Sequence, residues 1–358
     1  MNFEIECQDL QKGLAIVTRA LSIRPAQKVL EGVLIQSIDQ KVILTCTDSN
    51  MTIRASFPAQ VHEKGAVVLP GRFFTELTKK LPFNNVSVIS NDDKVQIKCL
   101  SSNSTLVSLN AFEFPRMQDF ISTLSFKISQ KKFKEMIMKT SFSMSTDENR
   151  PVFTGSLIEI DSNTISIVAL DGFRIAVQVL NQKNEMPAGK VVNELSRILQ
   201  DTDEICTIHL NNKQIKVEFG NTELLSVLLS GDFIDYRKVI PLQFKSHAEI
   251  NKLSLQDSVE RASLLAREGK NNTIRMRFVD NHLRISSHAE MGEVVEDMEV
   301  MLNGDPVDIA FNSKYLSEII QNIQDDHICM NFNSTVSPCV LKDREESNYI
   351  YMILPMRT

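Results

Sequence analysis

The chain has 358 residues, 42% of them apolar, and a formal net charge of -6. That length exceeds what one hydrophobic core usually serves, so two or three domains are expected, and the apolar share is enough to fill them. No run of about 18 apolar residues is present to cross a bilayer, and the N-terminal MNFEIECQDLQKG has acidic residues where a signal peptide needs a basic head, so a soluble, cytoplasmic protein is expected.

The chain opens on a short strand, Phe3-Glu4-Ile5, that runs into an amphipathic helix from Leu10 to Leu21. The same start recurs at intervals of about 120 residues. Phe126-Lys127-Ile128 leads into Lys132 to Ser143, and Ala248-Glu249-Ile250 into Leu255 to Ala266. A second helix is marked in each third by a polar, an acidic and a branched apolar residue: Thr75-Glu76-Leu77, Asn193-Glu194-Leu195 and Ser317-Glu318-Ile319. Between the helices lie period-two segments such as Val42 to Cys46, Val95 to Cys99, Ile215 to Phe219 and Leu283 to Ser287, the signature of half-buried strands.

The middle copy is the clearest. Asn149-Arg150-Pro151 breaks its first helix, because proline has no N–H and a fixed φ. Val152 to Ile160, Ile165 to Leu170 and Phe173 to Val179 then read as a meander, turned at Asp161-Ser162-Asn163 and interrupted at Asp171-Gly172. Each third reads as roughly two helices and eight strands. The class is α+β, with three repeated domains at 1-120, 121-244 and 245-358, each carrying two helices on antiparallel sheets.

Charge is segregated along this repeat. The helical runs are net basic although the whole chain is acidic; the run from Ile128 to Thr140 holds Lys131, Lys132, Lys134 and Lys139 against Glu135 alone. Charged helix faces are commonly only solvated, but repetition on like elements favours an extended polyanion. Duplex DNA, with a charge about every 1.7 Å of its axis, can be held by such side chains without being read for sequence.

Catalytic handles are missing. The sequence has no phosphate-binding Gly-rich loop followed by Lys, no dinucleotide fingerprint, no His-Glu-x-x-His and no Gly-x-Ser-x-Gly elbow. Its six cysteines form no Cys-x-x-Cys pair of the kind a zinc or redox site would use, so buried thiols are expected, with no metal and no cofactor. His282 and His288 lie in strand-like sequence without an acidic partner at a recognised spacing. The pairs Asp92-Asp93, Asp325-Asp326 and Glu345-Glu346 read as turns, and the glycosylation triplets at Asn103, Asn271 and Asn333 carry no meaning in a cytoplasmic protein.

Taken in order, Arg24-Pro25, Val29-Leu30, Thr47-Asp48, Phe114-Pro115, Phe142-Ser143-Met144, Asp171-Gly172 with Arg174, Asp235-Tyr236-Arg237, Phe311-Asn312 with Tyr315-Leu316, and Leu354-Pro355-Met356-Arg357 resemble the bacterial DNA polymerase III β subunit, the sliding clamp. The resemblance covers essentially the whole chain. It implies three similar domains, two chains joined head to tail in a ring whose inner wall is helical, and a non-catalytic processivity factor with low, sequence-neutral affinity for duplex DNA. Partners implied are the polymerase catalytic subunit, the clamp loader and repair proteins, docking short peptides; no membrane is implied.

The resemblance also implies sites. Matching positions for the partner-peptide pocket are Phe153, Leu170, Gly172, Phe173, Arg174, Ile175, Ile234, Lys238, Val239, Val336, Pro338, Met352, Leu354, Pro355, Met356 and Arg357, with Arg174 and Arg357 expected at the rim. Arg24, Arg72, Lys132, Lys190, Lys270 and Lys314, at helix ends or faces, are candidates for DNA contact. Leu106 in the first domain and Leu264 and Leu265 in the third match apolar dimer contacts, with Lys94 and Lys98 facing Glu290, Glu293, Glu296, Asp297 and Glu299 across the two edges. The chain departs from the family with Phe173 in place of a common His, Ile234 in place of a common Pro, and Ala26-Gln27-Lys28 in a usually more apolar stretch. Altered peptide preference is therefore expected. Two other readings stay open: a clamp-like scaffold that no longer closes on DNA, and a hydrolase with an unusual acidic site.

Overall fold

The computed structural model describes residues 1–22, 25, 27–117, 119–161, 164–181, 189–190, 198–342 and 348–357, with backbone alone at 189, 190 and 270. All three strand-to-helix starts are present. They are β1 (Asn2–Glu6) with α1 (Cys7–Val17), β10 (Leu124–Ser129) with α3 (Gln130–Ser141), and β18 (Ser246–Asn251) with α4 (Lys252–Ala266).

After α1 come β2 (Gly32–Ile38), β3 (Lys41–Thr47), β4 (Met51–Pro58), β5 (Gln60–Glu63), β6 (Gly65–Pro70), α2 (Gly71–Lys79), β7 (Asn85–Asn91), β8 (Lys94–Cys99) and β9 (Ser102–Val107). After α3 the chain forms β11 (Leu157–Ile160), β12 (Thr164–Leu170), β13 (Arg174–Asn181), β14 (Gly189–Lys190), β15 (Ile205–Leu210), β16 (Gln214–Phe219) and β17 (Thr222–Val227). Beyond α4 lie β19 (Thr273–Val279), β20 (His282–Ala289), β21 (Gly292–Glu299), β22 (Met301–Asn303), β23 (Val307–Asn312), α5 (Ser313–Asn322), β24 (His327–Phe332), β25 (Cys339–Lys342) and β26 (Tyr349–Ile353).

The second-helix markers fall on α2 and α5 as expected, whereas Asn193-Glu194-Leu195 lies outside the described residues. Two expectations are corrected. Lys190 does not open a helix but pairs with Leu157 in the short strand β14. Val152 does not begin a strand: Pro151–Thr154 is a 3-10 turn, because Pro151 sets a helical φ and removes the N–H a ladder would need.

Capping and periodicity explain the helices. Asn251 Oδ1 accepts from Ser254 N at 3.0 Å at the start of α4, and Asn312 Oδ1 accepts from Lys314 N at 3.0 Å and Tyr315 N at 3.3 Å at the start of α5, each satisfying N–H groups that the first turn leaves unpaired. Leu255, Val259, Ala262 and Ala266 form the buried stripe of α4, the spacing that places side chains on one helix face. Gly13 lets α1 approach its sheet, for a Cβ there would stand 2.6 Å from the Phe57 ring and 2.7 Å from Leu44 Cδ1.

The chain divides into two compact units, Met1–Lys134 with Glu194–Leu228, and Glu135–Asn193 with Leu229–Thr358. The first holds a sheet ordered β5-β1-β7-β8-β9 and another ordered β10-β15-β16-β17-β4-β3-β2-β6. In the second unit, one sheet runs β14-β11-β12-β13-β26-β25-β24-β18-β22 and the other β21-β20-β19-β23. The middle third thus gives strands to both units, because its β17 continues the ladder of β4 and its β13 that of β26. Among the described residues every ladder is antiparallel and β9 and β21 are edge strands, and the core of the second unit is packed around α4 and α5.

Candidate functional site

The most structured part of the candidate pocket is the turn between β12 and β13. Asp171 Oδ1 accepts from Phe173 N at 2.8 Å and Arg174 N at 3.0 Å, and Gly172 sits at φ +95°, a conformation that costs glycine little and other residues much. The turn pushes Phe173 outward, 53% exposed, where its ring stacks on Tyr315 with centroids 6.1 Å apart.

The C-terminal strand is built against this turn. β26 pairs with β13 so that Ile175 faces Met352, Leu354 N then donates to Phe173 O at 2.9 Å, and Met356 N donates to Ala310 O at 2.7 Å. Beneath lies an apolar floor in which Leu157, Leu170, Ile175, Tyr236, Ile240 and Met352 are buried together, flanked by the partly buried Phe153, Phe233 and Leu354. The rings of Phe153 and Phe233 meet edge to face at 6.1 Å. Ile234 and Val239 bracket a 3-10 turn, Tyr236–Lys238, and both are exposed, as is Val336 at 78%. Large apolar side chains left in water beside a closed core mark a surface suited to a partner.

The structure therefore gathers Phe153, Leu170, Ile175, Met352 and Leu354 into one cluster, and the Phe173 turn is bonded to Leu354. Gly172 shapes the turn; Val336 and Pro338 precede β25, Lys238 pairs with Asp235 at 3.0 Å, Pro355 is half-buried and Arg357 is exposed. Arg174 differs from expectation. It is not a rim donor but a buried one, 6% exposed. Its guanidinium bonds Asp171 Oδ2 at 3.0 Å, the Phe142 carbonyl at 2.5 Å and the Glu318 carboxylate, and lies 4.4 Å from the Tyr315 ring centroid. Its charge holds the turn, α3's end and α5 to one another.

Sequence reasoning missed the residues that position this surface. Glu159 accepts from the Tyr236 hydroxyl at 2.7 Å and from both terminal nitrogens of Arg237 at 3.0 and 2.6 Å. Burial and the neighbouring Glu159 carboxylate push the Tyr236 phenol far above its ordinary range, so it acts as a fixed donor. The adjacency Tyr236-Arg237 is the available signal; the partner on β11 has none, because tertiary packing brings it from 77 residues away.

Among the candidate DNA-contact cations, Arg72 on α2, Lys132 on α3 and Lys314 on α5 are exposed. Among the described residues they form no ion pair, whereas Lys79, Lys134 and Lys139 pair with Glu76 at 2.6 Å, Asp201 at 3.2 Å and Glu135 at 2.5 Å. Arg24 lies outside the described residues, and only the backbone of Lys190 and Lys270 is described. At the candidate interface, Leu106 is half-buried on edge strand β9, Leu264 is 66% exposed on α4, and Leu265 beside it is half-buried. The acidic run on β21 is partly answered within the chain: Arg261 grips Glu296 at 2.9 and 2.6 Å, and Arg284 grips Asp297 at 2.8 and 3.1 Å. Cys7, Cys46, Cys99, Cys206 and Cys339 are buried thiols, and burial pushes Cys206 up to about 12. Among the described residues no cluster of three His, Cys, Asp or Glu could hold a metal, and no helix is long and apolar enough to cross a membrane.

Residues 1–118 match the model of the DNA polymerase III beta subunit N-terminal domain, 127–235 its central domain and 237–357 its C-terminal domain. Beta sliding clamps of Staphylococcus epidermidis and Staphylococcus aureus are each 32% identical over 375 residues, covering 100% of both chains. Among solved structures, the Bacillus subtilis DNA polymerase sliding clamp superposes with a TM-score of 0.95 at 28% identity, covering 100% of this chain and 99% of that one. A Pseudomonas aeruginosa sliding clamp bound to griselimycin gives 0.95 at 27% identity, covering 100% of both.

Proposed function

The chain belongs to the DNA polymerase III β-subunit family, the sliding clamps, and from that premise we propose that two copies close head to tail into a ring that encircles duplex DNA and tethers a polymerase. As a family member it is a divergent clamp and a non-catalytic processivity subunit of α+β clamp domains. The observation that carries the proposal is that three successive clamp-domain matches fill one chain. The domain boundaries fall at 1-120, 121-244 and 245-358.

Closure joins β9 of one copy to β21 of the other. Both are edge strands whose outer N–H and C=O groups call for a partner, and a two-chain head-to-tail contact of this kind closes a ring when its rotation allows. Leu106 meets Leu264 and Leu265 across that joint, while Lys94 and Lys98 attract the carboxylates of Glu290, Glu293 and Glu299, which form no salt bridge among the described residues. Arg72, Lys132 and Lys314, unpaired within the described residues, meet phosphates, together with Arg24, Lys190 and Lys270. Such contacts release counterions without reading bases, which leaves the ring free to slide.

Partners, among them the polymerase catalytic subunit, the loader and repair proteins, dock a short peptide over Phe153, Phe173, Ile175, Val239, Val336, Leu354 and Met356. Support comes from the exposed apolar side chains around a closed floor and from the adaptable thioether of the half-buried Met356. The test is product length: on primed circular DNA with clamp loader, adding this chain should lengthen what the polymerase makes per binding event. Unchanged lengths at saturating clamp would overturn the reading.

A further inference from the structure

The two units contain the same three-stranded motif with different fillings. In the first unit Asp48 Oδ1 accepts from Asn50 N at 2.9 Å and Met51 N at 2.7 Å, as Asp171 Oδ1 does from Phe173 N and Arg174 N at 2.8 and 3.0 Å in the second. Aligning the two turns aligns the ladders: the cross-strand row Leu34, Thr45, Arg54 on β2, β3 and β4 corresponds to Leu157, Val168, Val177 on β11, β12 and β13. In the second unit this row is apolar and is packed beneath Tyr236 and Ile240.

In the first unit the equivalent row lies under a cavity of about 590 Å³. Thr45 and Arg54 form its floor with Gln36, while Phe114, Arg116 and Met117, from the segment after β9, form its wall. Thr45 is 3% exposed, and neither its Oγ1 nor the buried Nε of Arg54 has a hydrogen-bond partner among the described residues. A buried polar atom left unpaired needs a cause, and two such atoms belong here to residues that line one cavity. Glu223 stands opposite Arg54 in the ladder, but its carboxylate is directed at Lys216, 3.9 Å away. The lining carries two arginines and no acidic residue.

We propose that this cavity is a binding site for a carboxylate attached to an apolar group, with the carboxylate on Arg54 and Thr45 and the apolar body against Phe114 and Met117. The chemistry is shared by a small organic acid and by the C-terminal residue of a peptide. The site lies wholly within the first unit, so it stands or falls independently of ring closure and of the partner pocket.

The test is calorimetric titration of the full chain with three probes: N-acetylphenylalanine, its uncharged amide, and a tetrapeptide ending in phenylalanine with a free carboxylate. The expected result is that at least one acid binds at least tenfold more tightly than the amide. Tighter binding of the tetrapeptide assigns the site to peptide ends, and equal or tighter binding of N-acetylphenylalanine to small acids. Thr45→Val with Arg54→Val, which rewrites the row as the second unit has it, should abolish binding while the melting transition persists. Should that variant fail to fold, chemical shifts of the Met117 methyl in the unaltered protein provide the second readout, moving with acid and not with amide. Equal binding of acid and amide, or no binding of either acid at millimolar concentration, overturns the proposal.

Discussion

Arg174 and Glu318 stand 144 residues apart in the chain and are bound side chain to side chain, joining the start of β13 to α5. The Arg174 side chain is 6% exposed, with the Phe142 and Tyr315 ring centroids 5.3 and 4.4 Å from its guanidinium carbon. Arginine suits this place because its planar fork bonds and stacks at once, which lysine cannot do. Arg174→Ala leaves Asp171 and Glu318 without their partner, and breaking a buried pair from one side costs on the order of 3 kcal/mol. Urea unfolding should show that loss; a change under 1 kcal/mol would mean that the pair contributes no more than a surface bridge.

The proposed joint between copies rests on few side chains. Leu264→Lys with Leu265→Lys places two charges where apolar contact is expected, and sedimentation should then find monomers that still show a cooperative melting transition. A dimer that survives the double change would relocate the interface away from α4.

Much of this organisation was legible in the sequence, and the reasons are local. The strand-to-helix starts at Phe3, Phe126 and Ala248 are visible because side-chain periodicity is written within a few residues. Val152 reads as strand in the sequence because its apolar alternation outweighs Pro151, whose fixed φ instead begins a 3-10 turn. The resemblance implies a rim position for Arg174, and nothing near it in sequence announces Glu318 or the Phe142 carbonyl. Long-range pairing of β13 with β26, and with it the course of Leu354 past Phe173, has no local signal; the resemblance implies only that both residues belong to one pocket.

Phosphate contact by the helices has a salt signature. Arg72→Glu, Lys132→Glu and Lys314→Glu together should weaken retention on DNA and reduce the dependence of binding on log salt, since each lost contact removes about 0.9 from the slope. Dimerisation should persist. Unchanged retention and slope in the triple variant would place DNA contact elsewhere.

The partner surface makes a separate prediction. A peptide with glutamine followed by leucine and phenylalanine anchors should bind the intact chain and lose roughly tenfold to a hundredfold in affinity when Leu354 to Thr358 are removed, since a well-filled apolar anchor carries about 1–3 kcal/mol. Phe173→His restores a ring that can hydrogen-bond and should change affinity mainly for peptides altered at the glutamine. Calorimetry that finds equal binding with and without the C-terminal residues would exclude this surface.

The central claim is that the chain holds DNA by enclosing it. It is tested most directly by loading the clamp onto a nicked circular duplex, removing free protein by gel filtration in moderate salt, and cutting half the sample once with a restriction enzyme. Retention on the intact circle and rapid loss from the linear form, by sliding off the ends, is the predicted result. Equal retention on both forms, or loss from the circle as fast as from the linear duplex, would contradict a topological clamp.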